Sequence, residues 1–314
     1  MTTITAALVK ELRDKTGAGM MDCKAALTEN GGDMELAIDW LRKKGLSKAA
    51  KKSGRIAAEG LVGVISTATK GAVVEVNSET DFVARNPQFQ EMVRDIAKLA
   101  PAAGGDVDKL LAATYPGKSA TVESHVKEMI ATIGENMGVR RTATLEVGKG
   151  VVADYIHNKA GEGLGKIGVL VALESTGDAG KLLEFGRQVA MHIAAANPMV
   201  VNVEDLPKDV IDRERAIYVE QAKAEPRNAG KSDDILAKAS EGRLRKEFFG
   251  QAVLVQQVYV LDGKASVGDA VKEAEKAIGA PVKIAGFLRY ALGEGLERKE
   301  ENFAAEVAAA VQQS

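Results

Sequence analysis

The chain holds a single cysteine, Cys23, so it can close no intrachain disulfide and build no cysteine-based zinc or iron–sulfur centre. Its three histidines, His125, His157 and His192, stand far apart, and none has a second His or Cys at metal-ligand spacing. An excess of either charge is also lacking: 42 Lys and Arg face 44 Asp and Glu, a formal net charge of −2. That balance argues against a chain whose main task is gripping nucleic acid through many phosphate contacts, while leaving room for a local basic patch. Long apolar runs are missing. The longest, Ile167–Leu173, falls far short of the ~20 residues that span a bilayer. The segment Met1–Glu11 has neither the basic start nor the apolar stretch of an export signal. A cytoplasmic protein without membrane contact is therefore expected, and one cysteine agrees with a reducing compartment. Aromatic residues make up only 4% of the chain, so one placed outside an apolar pattern calls for a reason.

What is present is ordinary for a folded chain: 314 residues, 46% hydrophobic and 27% charged, enough for two domains and a small third. Residues 1–55 predict a three-helix unit followed by a basic linker. Ile4, Leu8 and Leu12 recur every four residues, and Gly17 and Gly19 end that helix. A second helix runs from about Asp22 to Glu29, and a third opens near Asp33 and Glu35 with Leu36, Ala37, Trp40 and Leu41 on one face. So small a bundle has a marginal core and is expected to lean on a neighbour. The stretch Lys43–Arg55 is basic and rich in small residues, which predicts a linker or a short exposed helix.

From Gly60 the apolar period changes to two. Leu61–Ile65 and Ala72–Val76 predict strands joined by a turn at Lys70-Gly71, and a helix follows from about Pro87 to Leu99. The same order returns in Val151–Ile156, Gly168–Leu173 and a helix over Leu182–Ala196. The two helices share a pattern, with Glu91, Arg94, Ile96 and Ala97 matching Glu184, Arg187, Val189 and Ala190. Each half later adds a strand, Arg141–Val147 and Lys283–Tyr290. The expected fold is α+β, a duplicated core in which each copy is a small antiparallel sheet covered by helices. Two charged helices, from Pro207 to about Lys223 and from Ser232 to Phe249, interrupt the second copy and predict a projecting helical hairpin. Beyond Gly293, Phe303, Val307 and Val311 form a narrow apolar stripe on a short C-terminal helix. The expected division is 1–55 for the bundle and linker, 56–149 for the first core copy, 150–203 and 250–292 for the second, 204–249 for the hairpin, and 293–314 for a C-terminal module.

Some tempting motifs fail their context. Gly163-Leu164-Gly165-Lys166-Ile167-Gly168 matches the dinucleotide fingerprint, which needs a strand before it and a helix after it. A strand follows here, so the glycines predict a hairpin loop. Gly117-Lys118-Ser119 looks like the end of a phosphate-binding loop, but Ala112 stands where that pattern needs its first glycine. His192 lies on an apolar helix and Cys23 beside a packing face, and both are expected to be structural. With no nucleophile elbow and no metal spacing, nothing points to an enzyme, a cofactor or a bound metal. Within residues 1–55, eleven Lys and Arg outnumber seven Asp and Glu, a local charge of +4. An RNA- or ribosome-binding module using Lys43–Arg55 is therefore the alternative from a different class, although the stretch lacks the interleaved aromatics that stack bases.

One segment speaks more directly. Thr80-Asp81-Phe82-Val83-Ala84-Arg85-Asn86-Pro87 lies between a strand and a helix and is expected to be loop up to Asn86-Pro87. Phe82 is either a hydrophobic staple tucked under the sheet or an exposed apolar wedge beside a carboxylate on a rigid scaffold. Residue types alone do not separate the two.

The same residues carry a resemblance. Leu8–Arg13, Thr16–Lys24, Thr80–Ala84, Ile133–Asn136, Arg140-Arg141, Ala190–His192, Glu241–Arg243, Gly293–Gly295 and Phe303–Val307 follow in order along nearly the whole chain. In them the sequence closely resembles the bacterial translation elongation factor Ts family, the nucleotide-exchange factors of elongation factor Tu. The first three helices also look like a ubiquitin-associated-type (UBA-like) bundle in fold. The resemblance implies that Thr80, Asp81, Phe82 and Val83 insert beside the GDP site of elongation factor Tu and dislodge its magnesium ion. It further implies that Val9, Arg13, Met20 and Met21 pack on the partner's G domain, the competing reading being that the methionines close the small bundle. By the same resemblance His157 lies near the partner's phosphate-binding loop, and Phe303 and Val307 grip the G domain again. The second core copy would lean on the partner's other domains. The hairpin resembles the family's projecting coiled coil, which serves dimerisation in some members. Such a factor needs neither a nucleotide pocket nor metal ligands of its own.

Overall fold

Three helices form where the N-terminal pattern predicts them: α1 (Ala6–Thr16), α2 (Met20–Glu29) and α3 (Met34–Lys52). They belong to a computed structural model that describes residues 4–228 and 230–296. The expected C-terminal helix, with Phe303 and Val307, lies outside the described residues. Thr5 and Asp33 cap α1 and α3 by accepting the N–H of Leu8 and Leu36. Leu12, Cys23, Ala26, Leu27 and Ala37 close a small core between the three helices. Burial raises the pKa of the Cys23 thiol, which keeps it protonated and unreactive at neutral pH.

The rest of the chain repeats one arrangement. The first half runs β1 (Glu59–Ser66), β2 (Lys70–Ser78), the single turn α4 (Asp81–Ala84), α5 (Pro87–Ala103), α6 (Val107–Ala112), α7 (Val122–Ile133) and β3 (Met137–Glu146). The second runs β4 (Gly150–His157), the short β5 (Leu164–Gly165), β6 (Ile167–Glu174) and α8 (Ala179–Ala196). It then makes an excursion through α9 (Lys208–Ala224), α10 (Asp233–Arg243) and α11 (Gly250–Ala252), and closes with α12 (Val267–Ile278) and β7 (Lys283–Ala291). Every pairing between named strands is antiparallel, in sheets ordered β3-β2-β1-β5 and β4-β6-β7. β2 thus lies between β1 and β3, and β6 between β4 and β7. The fold is α+β.

Period-two alternation sorts the strand residues into layers. Leu61, Ala72, Val74 and Val76 face α5, α6 and α7, while Val169, Val171 and Leu173 face α8 and α12. Val62, Val64, Val73, Val152, Leu170 and Ala172 point the other way and meet between the sheets. The order is helices, sheet, sheet, helices. The sheets are tightly packed at Gly168, where a Cβ would stand 2.5 Å from Val64 and 2.7 Å from Val62. The other two glycines of the false fingerprint are also structural. Gly163 turns the chain with a φ of +70°, and a Cβ on Gly165 would meet the His157 carbonyl at 2.7 Å. The false phosphate loop is explained too: Gly117-Lys118 recurs as Gly263-Lys264 in the other half, each following a buried tyrosine, Tyr115 or Tyr259. A β-bridge closes each turn, Thr114 with Thr121 and Val258 with Ser266, and Thr121 and Ser266 then cap α7 and α12. The apolar patterns above do not reveal these two helices; their signal is the repeated turn, cap and terminal glycine, Gly134 and Gly279.

A buried charge lies on the inner face of the first sheet. The β2–β3 register skips Arg140, and the β6–β7 register skips Ala285 at the matching place. An unbroken strand would send Arg140 and Arg141 to opposite faces, but the bulge lets both reach Glu75. Fully buried, Glu75 accepts from Arg140 Nη1 at 3.1 Å, Arg141 Nε at 2.6 Å, Asn77 Nδ2 at 3.0 Å and the Gly293 N–H at 2.8 Å. Burial alone would raise its pKa, but the bonds from Gly293, Asn77 and Arg141, with the Arg141 charge, hold it below the ordinary carboxylate value. Arg141 Nη2 also donates to the Ala291 carbonyl at 3.0 Å and Arg140 Nη2 to the Glu294 carbonyl at 2.7 Å, which ties the end of β7 to the first sheet.

Three expectations need correction. The basic stretch Lys43–Arg55 is no linker up to Lys52 but the C-terminal half of α3, because Gly45 and Ala49 form a small-residue face packed on α7. A Cβ on Gly45 would already stand 3.0 Å from Ala131. Residues 81–84 form a helical turn where loop is expected. The second charged helix changes to π-helical winding over Leu244–Phe249. α9 and α10 pack against each other, and Arg215 reaches Glu241 and Arg243 reaches Glu225, each at 3.1 Å. The excursion leaves and rejoins the second half at adjacent positions, where Val200 bridges Val253. Near this root His192 is buried; its Nε2 donates to Gln257 Oε1 at 2.8 Å and its Nδ1 accepts the Val260 N–H at 3.3 Å. Burial lowers its pKa below the ordinary imidazole value, so the ring is neutral in the fold.

Two outcomes are expected. Gly168→Ala should force the sheets apart and cost about 1–3 kcal/mol, read as a lower unfolding midpoint in urea. As pH falls below about 6.5, the unfolded chain takes up a proton at His192 that the native fold refuses, so stability should drop until the depressed native pKa is passed. Above that pH the contribution is complete. The unfolding temperature of His192→Gln, followed from pH 7.5 to 5.5, should therefore fall less steeply than that of the parent chain.

Candidate functional site

β2 ends at Ser78, whose neighbours across the sheet are Glu59 and Met137. α5 starts at Pro87, capped by Asn86, which accepts the N–H groups of Gln88 and Phe89. Between these fixed points the chain makes the α4 turn. Val83 and Ala84 are buried in the core cluster that also contains Phe89, so Phe82 leaves on the outer side and is 74% exposed. The staple reading requires a buried Phe82; Val83 fills the inward position instead. Asp81 pairs with Arg85 at 3.1 Å, and both side chains remain substantially open to water. The turn thus presents an apolar ring beside a carboxylate.

The turn is held from behind. The N–H and Oγ1 of Thr80 donate to the two carboxylate oxygens of Glu135 at 3.0 and 2.8 Å. The backbone N–H of Asn136 donates to Glu79, and its side-chain Nδ2 donates to the Arg55 carbonyl at 2.8 Å. Gln90 Nε2 donates to the Ala84 carbonyl at 3.0 Å, which fixes the other end of the turn. Sequence reasoning gives Glu79, Gln90, Glu135 and Asn136 no role. The only signal was that Ile133–Asn136 belongs to the segments that carry the resemblance, with two polar side chains directly after a helix-ending glycine.

The remaining candidates fall in three places. Met20 and Met21 are 57% and 77% exposed at the start of α2, so they do not close the bundle. Arg13 is exposed on α1, while Val9 is half-buried against the bundle core. His157 is exposed at the end of β4, with its Nδ1 3.3 Å from the Tyr155 hydroxyl. The loop beyond it returns through β5 to the edge of β1, and Lys166 pairs with Glu59 at 3.0 Å. Glu59 is in turn the partner of Ser78, the last residue of β2 before the Phe82 turn. Phe303 and Val307 lie outside the described residues.

Several cations of the basic stretch are engaged inside the fold. Lys44 pairs with Asp22 at 3.2 Å and lies over the Trp40 ring, Lys52 donates to the Gly134 carbonyl, and Arg55 reaches Glu79. Among the described residues no group of three His, Cys, Asp or Glu side chains is placed to share a metal ion, and no helix is long and apolar enough to cross a membrane. The geometry suits insertion into another protein's surface.

The family model described as "Elongation factor TS" matches residues 79–294, from the residue before Thr80 to the carboxylate that meets Arg141. Elongation factor Ts of Parvibaculum lavamentivorans is 58% identical over 310 residues, covering 99% of both chains. That of Rhizobium leguminosarum bv. trifolii is 59% identical over 311 residues, again 99% of both, and that of Rhizobium meliloti 58% over 308 residues, 98% of this chain and 99% of its own.

The packing of the turn separates stability from exposure. Phe82→Ala should change unfolding free energy by no more than about 0.5 kcal/mol, whereas Val83→Ala should cost about 1–3 kcal/mol in the same urea titration.

Proposed function

The chain belongs to the elongation factor Ts family and is a translation elongation factor; from that premise we propose that it is a guanine-nucleotide exchange factor. In this reading it binds GDP-bound elongation factor Tu, promotes GDP release and leaves the partner ready for GTP. The observation that carries the reading is Phe82, a large aromatic 74% exposed on a turn whose backbone is pinned on both sides. Water alone gives no reason to hold such a side chain rigidly outward. A partner pocket does.

The mechanism follows from the pair of side chains. Phe82 wedges between helices of the partner, and its burial contributes about 1.5–3 kcal/mol to the complex. Asp81 enters beside the magnesium ion at the partner's nucleotide site and competes for the polar groups that hold it. With the ion dislodged, repulsion between the phosphates and nearby oxygens is less screened, and GDP leaves faster. Thr80 and Val83 fix the turn between its grip and the core. The coupling is reciprocal, so factor and nucleotide weaken each other's affinity by the same factor, and incoming GTP releases the exchange factor. No covalent bond is made or broken, and the chain acts without catalytic chemistry of its own.

Other contacts complete the reading. Arg13, Met20 and Met21, with Val9 at the edge of the bundle core, form the surface for the partner's G domain. His157 stands beside its phosphate-binding loop, and Phe303 and Val307 add a C-terminal contact. The α9–α10 hairpin corresponds to the family's projecting coiled coil, and its exposed Ile217 and Ile235 are the place for a second copy of the chain. The cytoplasm is the compartment where such a factor works. The RNA-binding alternative has less support, since Lys44 is engaged within the bundle and Lys52 and Arg55 in the joint between bundle and core.

Release of fluorescent GDP from elongation factor Tu tests the proposal. The chain should accelerate release at stoichiometric concentration, and Phe82→Ala should slow the stimulated rate by roughly ten- to a hundredfold, as the loss of its burial predicts. No acceleration by the parent chain would overturn the reading.

A further inference from the structure

The two halves join their second strand to the following helix differently. In the second half residues 175–178 link β6 to α8, and the Asp178 N–H donates to the Ile278 carbonyl at the end of α12, at 3.0 Å. In the first half residues 79–86 link β2 to α5, the added length being the α4 turn. Its tie runs from Thr80 to Glu135, just past the end of α7. Glu135 follows Gly134 as Ala280 follows Gly279, the left-handed glycines that end α7 and α12. The carboxylate is therefore present where the turn is present, and an alanine stands where the turn is missing.

The hydrogen-bond geometry is specific. Thr80 occupies the capping position of α4, yet its side chain caps nothing; the hydroxyl donates to Glu135 Oε1 at 2.8 Å. Its N–H donates to Oε2 at 3.0 Å. Two bonds to one planar group fix both the position and the direction of Thr80, from which Asp81 and Phe82 leave. Glu135 is itself anchored on each side. The Gly134 carbonyl accepts Lys52, and Asn136 binds Glu79 and the Arg55 carbonyl. Lys52 ends α3, so the grip also links the turn to the bundle that carries Met20 and Met21.

We infer that Glu135 is a positioning residue for nucleotide exchange, acting through Thr80 to set how Asp81 and Phe82 meet the partner. The inference rests on the exchange reading above. Neither Thr80 nor Glu135 belongs to an apolar core, so loss of the grip should leave the fold intact. A misplacement of about 1 Å at a reacting site can cost roughly a hundredfold in rate, and a wedge on a released turn should lose about tenfold.

The test is the rate of GDP release from elongation factor Tu against factor concentration, with an unfolding temperature for every variant. Glu135→Ala and Thr80→Val should lower the maximal stimulated rate about tenfold, with little change in half-saturating concentration or unfolding temperature. Glu135→Gln, which keeps one acceptor, should lie between. Added to the double variant Asp81→Ala/Phe82→Ala, Glu135→Ala should have no further effect. A full rate in Glu135→Ala and Glu135→Gln, with Phe82→Ala slow, overturns the inference and leaves the exchange reading standing. So does an effect of Glu135→Ala that persists in full in the double variant, or a rate loss that follows a fall in unfolding temperature in all three grip variants. If Phe82→Ala keeps the parent rate, the wedge mechanism fails and the inference with it; if the parent chain gives no acceleration, the exchange reading fails as well.

Discussion

Two sheets stacked on their inner faces set the terms for everything else. The contact is made largely by aliphatic residues, most of them valine, and at Gly168 there is no room for even one more carbon. Such packing tolerates little change in volume. It also sets a condition for Glu75, which faces the same side as Val73 and has no access to water. A carboxylate there is stable only when every lone pair is used, and the partners come from both halves: Asn77, Arg140 and Arg141 from the first, the Gly293 N–H from the second. The bulge at Arg140 makes this arrangement possible. A matching bulge at Ala285 holds no such charge, so the geometry comes with the scaffold and the charge is specific to the first half.

The repeated scaffold makes its exceptions informative. Sheet order, bulge position, bridged turn and capped helix recur, because each solves the same packing problem twice. What does not recur is the α4 turn in the first half and the α9–α10 excursion with its own small core in the second. Neither is needed to cover a sheet. A segment released from that duty can face outward, and the Phe82 turn does so while remaining rigid, since its anchors are core residues on one flank and a carboxylate grip on the other.

Near-neutral net charge fits a protein partner, where a few well-placed side chains matter more than a summed field. The basic stretch Lys43–Arg55 illustrates the point. Three of its cations are local solutions to local problems, Lys44 a partner for Asp22, Lys52 a donor for the Gly134 carbonyl and Arg55 a counter-charge for Glu79.

Much of the fold was legible in the chain because its causes are local. Alternation in Leu61–Ile65 and Gly168–Leu173, caps at Asp33 and Asn86, and the matched helices of the two halves all express the geometry of one strand or one helix. The false motifs were also legible as false, since a strand must follow Gly168 for its pattern to make sense. Local pattern misjudged Lys43–Lys52, where the face that makes it helix is Gly45 against Ala131 on α7. It also did not separate the two readings of Phe82. Side-chain chemistry is the same for a staple and a wedge, and the difference lies in whether Val83 or Phe82 fills the inward position. Glu135 was invisible for a related reason: its bonds to Thr80 cross 55 residues of sequence. The sequence by itself determined the long strands of the two sheets, the helices α1, α2, α5, α8, α9 and α10, and Phe82 as a residue that could serve a site. Only the tertiary structure decided that two arginines share one buried carboxylate, that a distant glutamate grips the turn, and that Phe82 faces water, because each depends on which distant surfaces packing brings together.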